Sequence, residues 1–273
     1  MEEVLSGYVF PEAPRVDGAG ALYFSDIIGG GVHRLAADGS VETVIPKRRG
    51  VGGLVFHADG GLVVSGRDVV HVRDGVSRPL LTVEGALGFN DLTTDAAGRV
   101  YVGSMRSGAD LLDGRVPSEL WRIDTGGTRA LYDGVLFPNG VGFSSDGRTL
   151  YHSDYAAAHV LAHTIADDGR AIERRIFAAP PRGRPDGLAV DEAGGVLVAL
   201  GDGRGVARFG RDGALERILA VPASFVASLC FGGADRRDLY VVGVAEGADP
   251  TRGGRIWRGR VDVPGVIAPL ARV

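Results

Sequence analysis

Apolar residues in this chain gather in short runs of about four to seven, each closed by Gly, Asp-Gly or Asn-Gly, and almost nowhere do they form the 3.6-residue stripe of an amphipathic helix. Ala21-Leu22-Tyr23-Phe24, Leu62-Val63-Val64, Val100-Tyr101-Val102, Thr149-Leu150-Tyr151, Val196-Leu197-Val198 and Leu239-Tyr240-Val241-Val242 each follow such a turn signal. The pattern predicts an all-β chain.

The runs also repeat. Gly53-Leu54-Val55-Phe56 leads to Asp59-Gly60, Asn90-Asp91-Leu92-Thr93 to Asp95 and Gly98, Asn139-Gly140-Val141-Gly142-Phe143 to Asp146-Gly147, and Asp186-Gly187-Leu188-Ala189-Val190 to Asp191 and Gly194. Further copies begin near Glu12 and Ala227, so the spacings between starts are 41, 37, 49, 47 and 41 residues. Each interval is long enough for four short strands, which is the signature of propeller blades. Six such units take up residues 1–273 and predict one six-bladed β-propeller domain. Residues 3–9 are expected to close the ring by pairing into the last blade, beside residues 239–244 and 255–260, because closure covers an exposed sheet edge.

A propeller gives these residues a common address. The first strand of each blade lines the central channel, so equivalent early positions of different repeats converge at one mouth even when far apart in sequence. Those positions hold Glu12, Gly53, Asn90, Asn139, Asp186 and Ala227. Glu12, Asn139 and Asp186 offer oxygen ligands with two negative charges, and such carboxylates repel one another in a partly buried channel unless a cation sits among them. Oxygen donors suit a hard ion such as Ca²⁺, Mg²⁺ or Mn²⁺, and the lack of His or Cys in the set argues against a closed structural zinc site. Taken singly, Asn139-Gly140 and Asp186-Gly187 read as plain turns; their shared phase with Glu12 favours a site.

Other candidates carry less. Asp38-Gly39, Asp59-Gly60, Asp146-Gly147, Asp168-Gly169 and Asp212-Gly213 recur where strand-to-strand hairpins are expected. The six histidines form no HExxH pattern, and no G-x-S-x-G elbow surrounds Ser65, Ser104, Ser107 or Ser144. Gly201-Asp202-Gly203-Arg204-Gly205 lacks the spacing and following helix of a phosphate loop and reads as a blade turn. Cys230, the single cysteine, stands in the apolar run Leu229-Cys230-Phe231 and reads as a buried hydrophobe.

Charge narrows the partners. The 273 residues carry 30 Lys plus Arg against 34 Asp plus Glu, a net −4 with no basic block, so nucleic acid is not expected. No apolar run approaches the roughly 20 residues of a membrane span. Met1-Glu2-Glu3 opens no signal-peptide pattern, and a lone cysteine makes no internal disulfide, so a cytoplasmic monomer or weak oligomer is expected.

At five ordered segments the sequence resembles the SMP-30/gluconolactonase/LRE family of six-bladed propellers. The family's E-x-P appears as Glu12-Ala13-Pro14, its F-N-D as Phe89-Asn90-Asp91, its N-G segment as Pro138-Asn139-Gly140, its P-D-G as Pro185-Asp186-Gly187, and a C-F-G-G run as Cys230-Phe231-Gly232-Gly233. The resemblance implies one divalent cation (Ca²⁺, Mg²⁺, Mn²⁺ or Zn²⁺) held by Glu12, Asn139 and Asp186. It implies hydrolysis of a small-molecule lactone, with the metal as Lewis acid, Asp186 as general base, and Asn90 and Asp91 orienting substrate oxygens. Two sugar contacts of the family are missing: its Arg two residues before the F-N-D Asn is Gly88 here, and an acidic residue after Gly103-Ser104-Met105 is Gly108. Less hydroxylated lactones are therefore expected, with Arg106, His152, Tyr155 and Phe225 as candidate lining residues. Two alternatives stay open: a redirected metal pocket performing hydration, isomerisation or cyclisation, and a metal-stabilised binding propeller without catalysis.

Overall fold

The computed structural model describes residues 1–106 and 116–273, and every regular element among them is a β-strand. Strand β1 (Glu2–Tyr8) is followed by blade 1, formed by β2 (Pro11–Val16), β3 (Leu22–Asp26), β4 (Val32–Leu35) and β5 (Val41–Ile45). Blade 2 comprises β6 (Leu54–Phe56), β7 (Leu62–Val64), β8 (Val69–Arg73) and β9 (Val76–Leu81). Blade 3 comprises β10 (Gly88–Thr94), β11 (Val100–Met105), β12 (Ser118–Asp124) and β13 (Gly127–Val135). Blade 4 holds β14 (Pro138–Phe143), β15 (Thr149–Asp154), β16 (His159–Ile165) and β17 (Ala171–Ala178). Blade 5 holds β18 (Leu188–Val190), β19 (Val196–Ala199), β20 (Gly205–Phe209) and β21 (Leu215–Ala220). Blade 6 is β22 (Ala223–Gly232), β23 (Asp238–Ala245) and β24 (Gly254–Arg260), and β1 is its fourth strand.

The expected six-bladed propeller and its closure are therefore present. Glu3 pairs with Trp257, Leu5 with Ile256 and Tyr8 with Gly254, so the first strand covers the edge that β24 would otherwise expose. The Asp-Gly hairpins at residues 38, 59, 146, 168 and 212 also stand where expected, each with its glycine at positive φ, a conformation that a side chain disfavours.

Blades stack face to face, which explains the apolar runs that fail to alternate. A strand between two neighbouring blades is buried on both faces, as β11 is almost throughout, whereas the outermost β17 faces water over most of its length. The core is six clusters, one for each blade interface. Leu54 and Val64 pack with Ala13 and Val32 between blades 1 and 2, and Tyr101 and Leu120 with Val141 and Leu150 between blades 3 and 4. Cys230 belongs to the cluster between blades 6 and 1, with Phe24, Val242 and Ile256. Burial pushes its thiol up to about 12, so it behaves as the hydrophobe expected.

Inner strands β2, β6, β10, β14, β18 and β22 all run from an upper mouth to a lower one. Residues 264–273 cross the lower mouth: Val266 N donates to Val190 O at 2.8 Å, Ala271 N to Phe56 O at 2.8 Å and Arg272 N to Gly98 O at 2.8 Å. Above this strap a cavity of about 80 Å³ is lined by Phe143, Val190, Phe231, Ile267 and Pro269 among others.

Candidate metal centre and active site

The site lies where the inner ladders break. Register shifts occur in β2 between Glu12 and Arg15, in β10 between Phe89 and Leu92, and in β14 between Pro138 and Val141. Glu12, Asn90, Asp91 and Asn139 all stand at or within these bulges, which re-aim side chains away from the regular alternation. Ala13 adopts φ 50°, a further mark of the distortion beside Glu12. Asp186 sits just ahead of β18 rather than in it, and its backbone N–H donates to Ala199 O at 2.8 Å.

Close approach of neighbouring inner strands brings these residues together. Gly140 N donates to Asp186 O at 3.2 Å, and Gly187 N to Ala227 O at 2.8 Å, bonds that run between blades. A Cβ on Gly140 would lie 2.6 Å from Asp186 O, and one on Gly187 would lie 2.7 Å from Ser228 Cα. The glycines of the two motifs thus serve contact between blades, not turn conformation. Two buried carboxylates at matching places anchor the approach to the site. Asp26 accepts from Val9 N at 2.9 Å and Phe10 N at 3.1 Å, just ahead of Glu12. Asp154 accepts from Leu136 N at 2.9 Å and Phe137 N at 3.1 Å, just ahead of Asn139. The repeated Tyr-x-Ser-Asp of residues 23–26 and 151–154 is the sequence signal of these two anchors.

Glu12, Asn139 and Asp186 are 7%, 7% and 4% exposed, so all three can present oxygens into a nearly dry space. Burial pushes the Glu12 carboxyl up to about 8, with Asp91 adding repulsion while the Ala13 N–H and Arg15 oppose it. Burial raises Asp186 well above the carboxylate range, and Glu12 and Asp91 push it further; the Asn139 amide pulls it back. Asp186 Oδ1 is fully buried with no hydrogen-bond partner. Such an orphaned acceptor between mutually repelling carboxylates is costly unless a cation compensates it. Two carboxylates and an amide oxygen fit a hard divalent ion. Among the described residues no cluster of three His, Cys, Asp or Glu is placed to hold one, and the expected set contains only two such residues plus Asn139.

Asn90 and Asp91 are both buried beside this set. Asn90 Nδ2 donates to Pro138 O at 3.0 Å, linking blades 3 and 4 and leaving its second amide hydrogen uncommitted. Asp91 Oδ1 accepts from Leu92 N at 2.8 Å and lies 3.4 Å from Arg15 Nη2. Burial lifts its pKa to about 6, against the pull of Arg15.

Aromatic pairs and arginines surround this end of the molecule. Phe10 and Phe225 meet at 5.5 Å and Phe137 and Tyr155 at 5.8 Å, while Arg184 lies 5.9 Å above the Tyr155 ring and donates to Ala156 O at 2.7 Å. Burial, then Asp186 and Asp202, push the Tyr155 phenol up to about 12. Arg106 is tied by Nε to both oxygens of Glu119 at 2.8 and 2.9 Å. His152 is not a mouth residue: it is wholly buried between blades 3 and 4, with Nδ1 2.8 Å from Tyr132 Oη. At Gly88 a Cβ would lie 2.9 Å from Gly66 O, so backbone of blade 2 fills the space that a side chain would need. Gly108 lies outside the described residues.

Residues 10–245 match the profile of the family described as "SMP-30/Gluconolactonase/LRE-like region". A 6-deoxy-6-sulfogluconolactonase of Pseudomonas putida is 33% identical over 275 residues, covering 91% of this chain and 90% of that protein. A pentonolactonase of Haloferax volcanii is 34% identical over 245 residues, covering 85% and 80%. Among solved structures, a luciferin-regenerating enzyme superposes with a TM-score of 0.88 at 22% identity over 100% of this chain and 99% of its own. A regucalcin from Agrobacterium tumefaciens, described as calcium-binding, gives 0.86 at 21% identity over 99% and 97%. At these identities the superpositions establish a common fold.

Proposed function

The chain belongs to the SMP-30/gluconolactonase/LRE-like family, and on that premise we propose that it is a divalent-metal-dependent lactonase whose ion is held by Glu12, Asn139 and Asp186. Relatives named as sugar lactonases support ring-opening of a cyclic ester. The observation that carries the assignment is the orphaned, buried Asp186 Oδ1 beside Glu12 and Asn139. A bound ion would supply Lewis-acid polarisation of the ester carbonyl and compensate the paired carboxylates.

The chain's own groups do the rest. Asp186 is placed to accept the proton of an attacking water as general base. Asn90, fixed by Pro138 O, directs its second N–H to a substrate oxygen. Asp91, bonded to Leu92 N and paired with Arg15, orients substrate only indirectly, by bracing β10 against β2. Phe10, Phe225, Phe137 and Tyr155 shield the reaction from bulk water. A hydroxyl-rich ring loses the arginine contact where Gly88 is walled by Gly66, so less hydroxylated lactones are the favoured class.

The test is a panel of γ- and δ-lactones assayed by proton release, before and after chelation and after return of Ca²⁺, Mg²⁺, Mn²⁺ or Zn²⁺. Chelation should abolish turnover and a hard cation should restore it. Full activity in protein shown metal-free by direct analysis would overturn metal dependence. A clear preference for gluconolactone over every less hydroxylated ring would overturn the substrate class.

A further inference from the structure

Glu12 and Asp186 feel further charges: the buried carboxylate of Asp91 acts on both, and the guanidinium of Arg15, which borders the lower cavity, acts on Glu12 and is paired with Asp91. Arg15 is on the third residue after Glu12 along β2. Its Nη1 donates to Pro14 O at 2.8 Å and its Nη2 to Leu92 O at 3.0 Å, with Asp91 Oδ1 at 3.4 Å. Two backbone carbonyls thus hold the guanidinium in place, and the side chains of Arg15 and Asp91 are only 14% and 3% exposed. A cation so placed cannot leave for solvent, and removing it would strand Asp91 as an unpaired buried charge.

We propose that Arg15 sets the charge of the metal pocket: by neutralising Asp91 it leaves the charges of Glu12 and Asp186 to match one divalent ion and to disfavour a trivalent one. This rests on the metal-centre reading above. With the three carboxylates ionised, as a bound cation would hold them, one guanidinium leaves −2, the complement of a divalent ion. Without Arg15 the pocket would carry −3, and Asp91 would draw ions of higher charge. Altering the charge of a partly buried site by one unit changes ion affinity by about tenfold or more.

The experiment is titration calorimetry of the whole, metal-stripped protein with Ca²⁺ and with La³⁺, read as the ratio of the two affinities. Arg15→Met should raise the La³⁺ preference about tenfold or more. Arg15→Lys, which keeps the charge, should stay within about threefold of the parent, and Arg15→Met with Asp91→Asn should return to the parent ratio. Should Arg15→Met fail to fold, Asp91→Asn alone decides: the pocket drops to −1, and Ca²⁺ should bind about tenfold more weakly. Ratios that stay within about twofold across Arg15→Met, or Ca²⁺ affinity unchanged in Asp91→Asn, overturn the proposal while the metal centre stands. A parent protein that binds neither ion overturns the metal centre and this proposal with it.

Discussion

The same six inner strands build two opposite ends of one channel. At the upper end β2, β10 and β14 are bulged at their starts, where Glu12, Asn90 and Asn139 stand near Asp186 with an acceptor left unpaired. At the lower end regular strand carries Phe143, Val190 and Phe231, and residues 264–273 bond to the backbone of Phe56, Gly98 and Val190. Apolar packing and these backbone bonds make the lower end a structural closure. The upper end instead concentrates buried ionisable groups, a costly arrangement of the kind that clusters at functional sites.

Substitutions at the two ends should therefore separate activity from stability. The largest effect is expected from Asp186→Asn, with turnover reduced by about 10² to 10⁴ even when metal analysis shows the site filled, because an amide accepts no proton. Glu12→Gln should differ: it keeps an oxygen donor, so excess cation should restore part of its rate. Recovery of Asp186→Asn to parental turnover at saturating cation would reduce Asp186 to a ligand. At the other end, deleting residues 264–273 should lower the thermal midpoint by at least about 5 °C while early turnover at low temperature is kept. A truncated chain as stable as the parent would show that the strap closes nothing.

A third expectation concerns the wall between blades 3 and 4, below the polar ring. Burial pushes His152 down to about 3 and His163 to about 4, with Arg174 acting in the same direction on both. Their unfolded pKa is near 6.5, so the unfolded chain binds more protons than the folded one between those values and stability falls as pH drops below about 6.5. Each imidazole should contribute about 1 kcal/mol per pH unit to that fall. Denaturant titrations between pH 7 and 5 should show a shallower decline for His152→Gln; an unchanged slope would remove His152 from the account. The smallest effect belongs to the lower cavity: Cys230→Ala should cost about 1 kcal/mol or less of stability and leave turnover unchanged. A loss of activity there would break the separation of the two ends.

Much of this was legible in the sequence, for a definite reason. Strand length, hairpin chemistry and blade number are local properties, repeated at intervals of 37 to 49 residues, and ring closure follows from their number. Because equivalent repeat positions must meet at the axis, Glu12, Asn139 and Asp186 could be grouped before any contact was known. Tertiary structure alone decided the rest. His152 shares its strand with Asp154, a side chain that anchors the approach to Asn139, yet it packs onto Tyr132 from another blade. Gly88 reads as a missing arginine until the carbonyl of Gly66 is seen to occupy its side-chain space. Arg15 reads as one of many arginines until Asp91, 76 residues away, is found beside it. Repetition along a chain determines which positions are equivalent, whereas burial, bulges and charge pairing depend on what a neighbouring blade places opposite them.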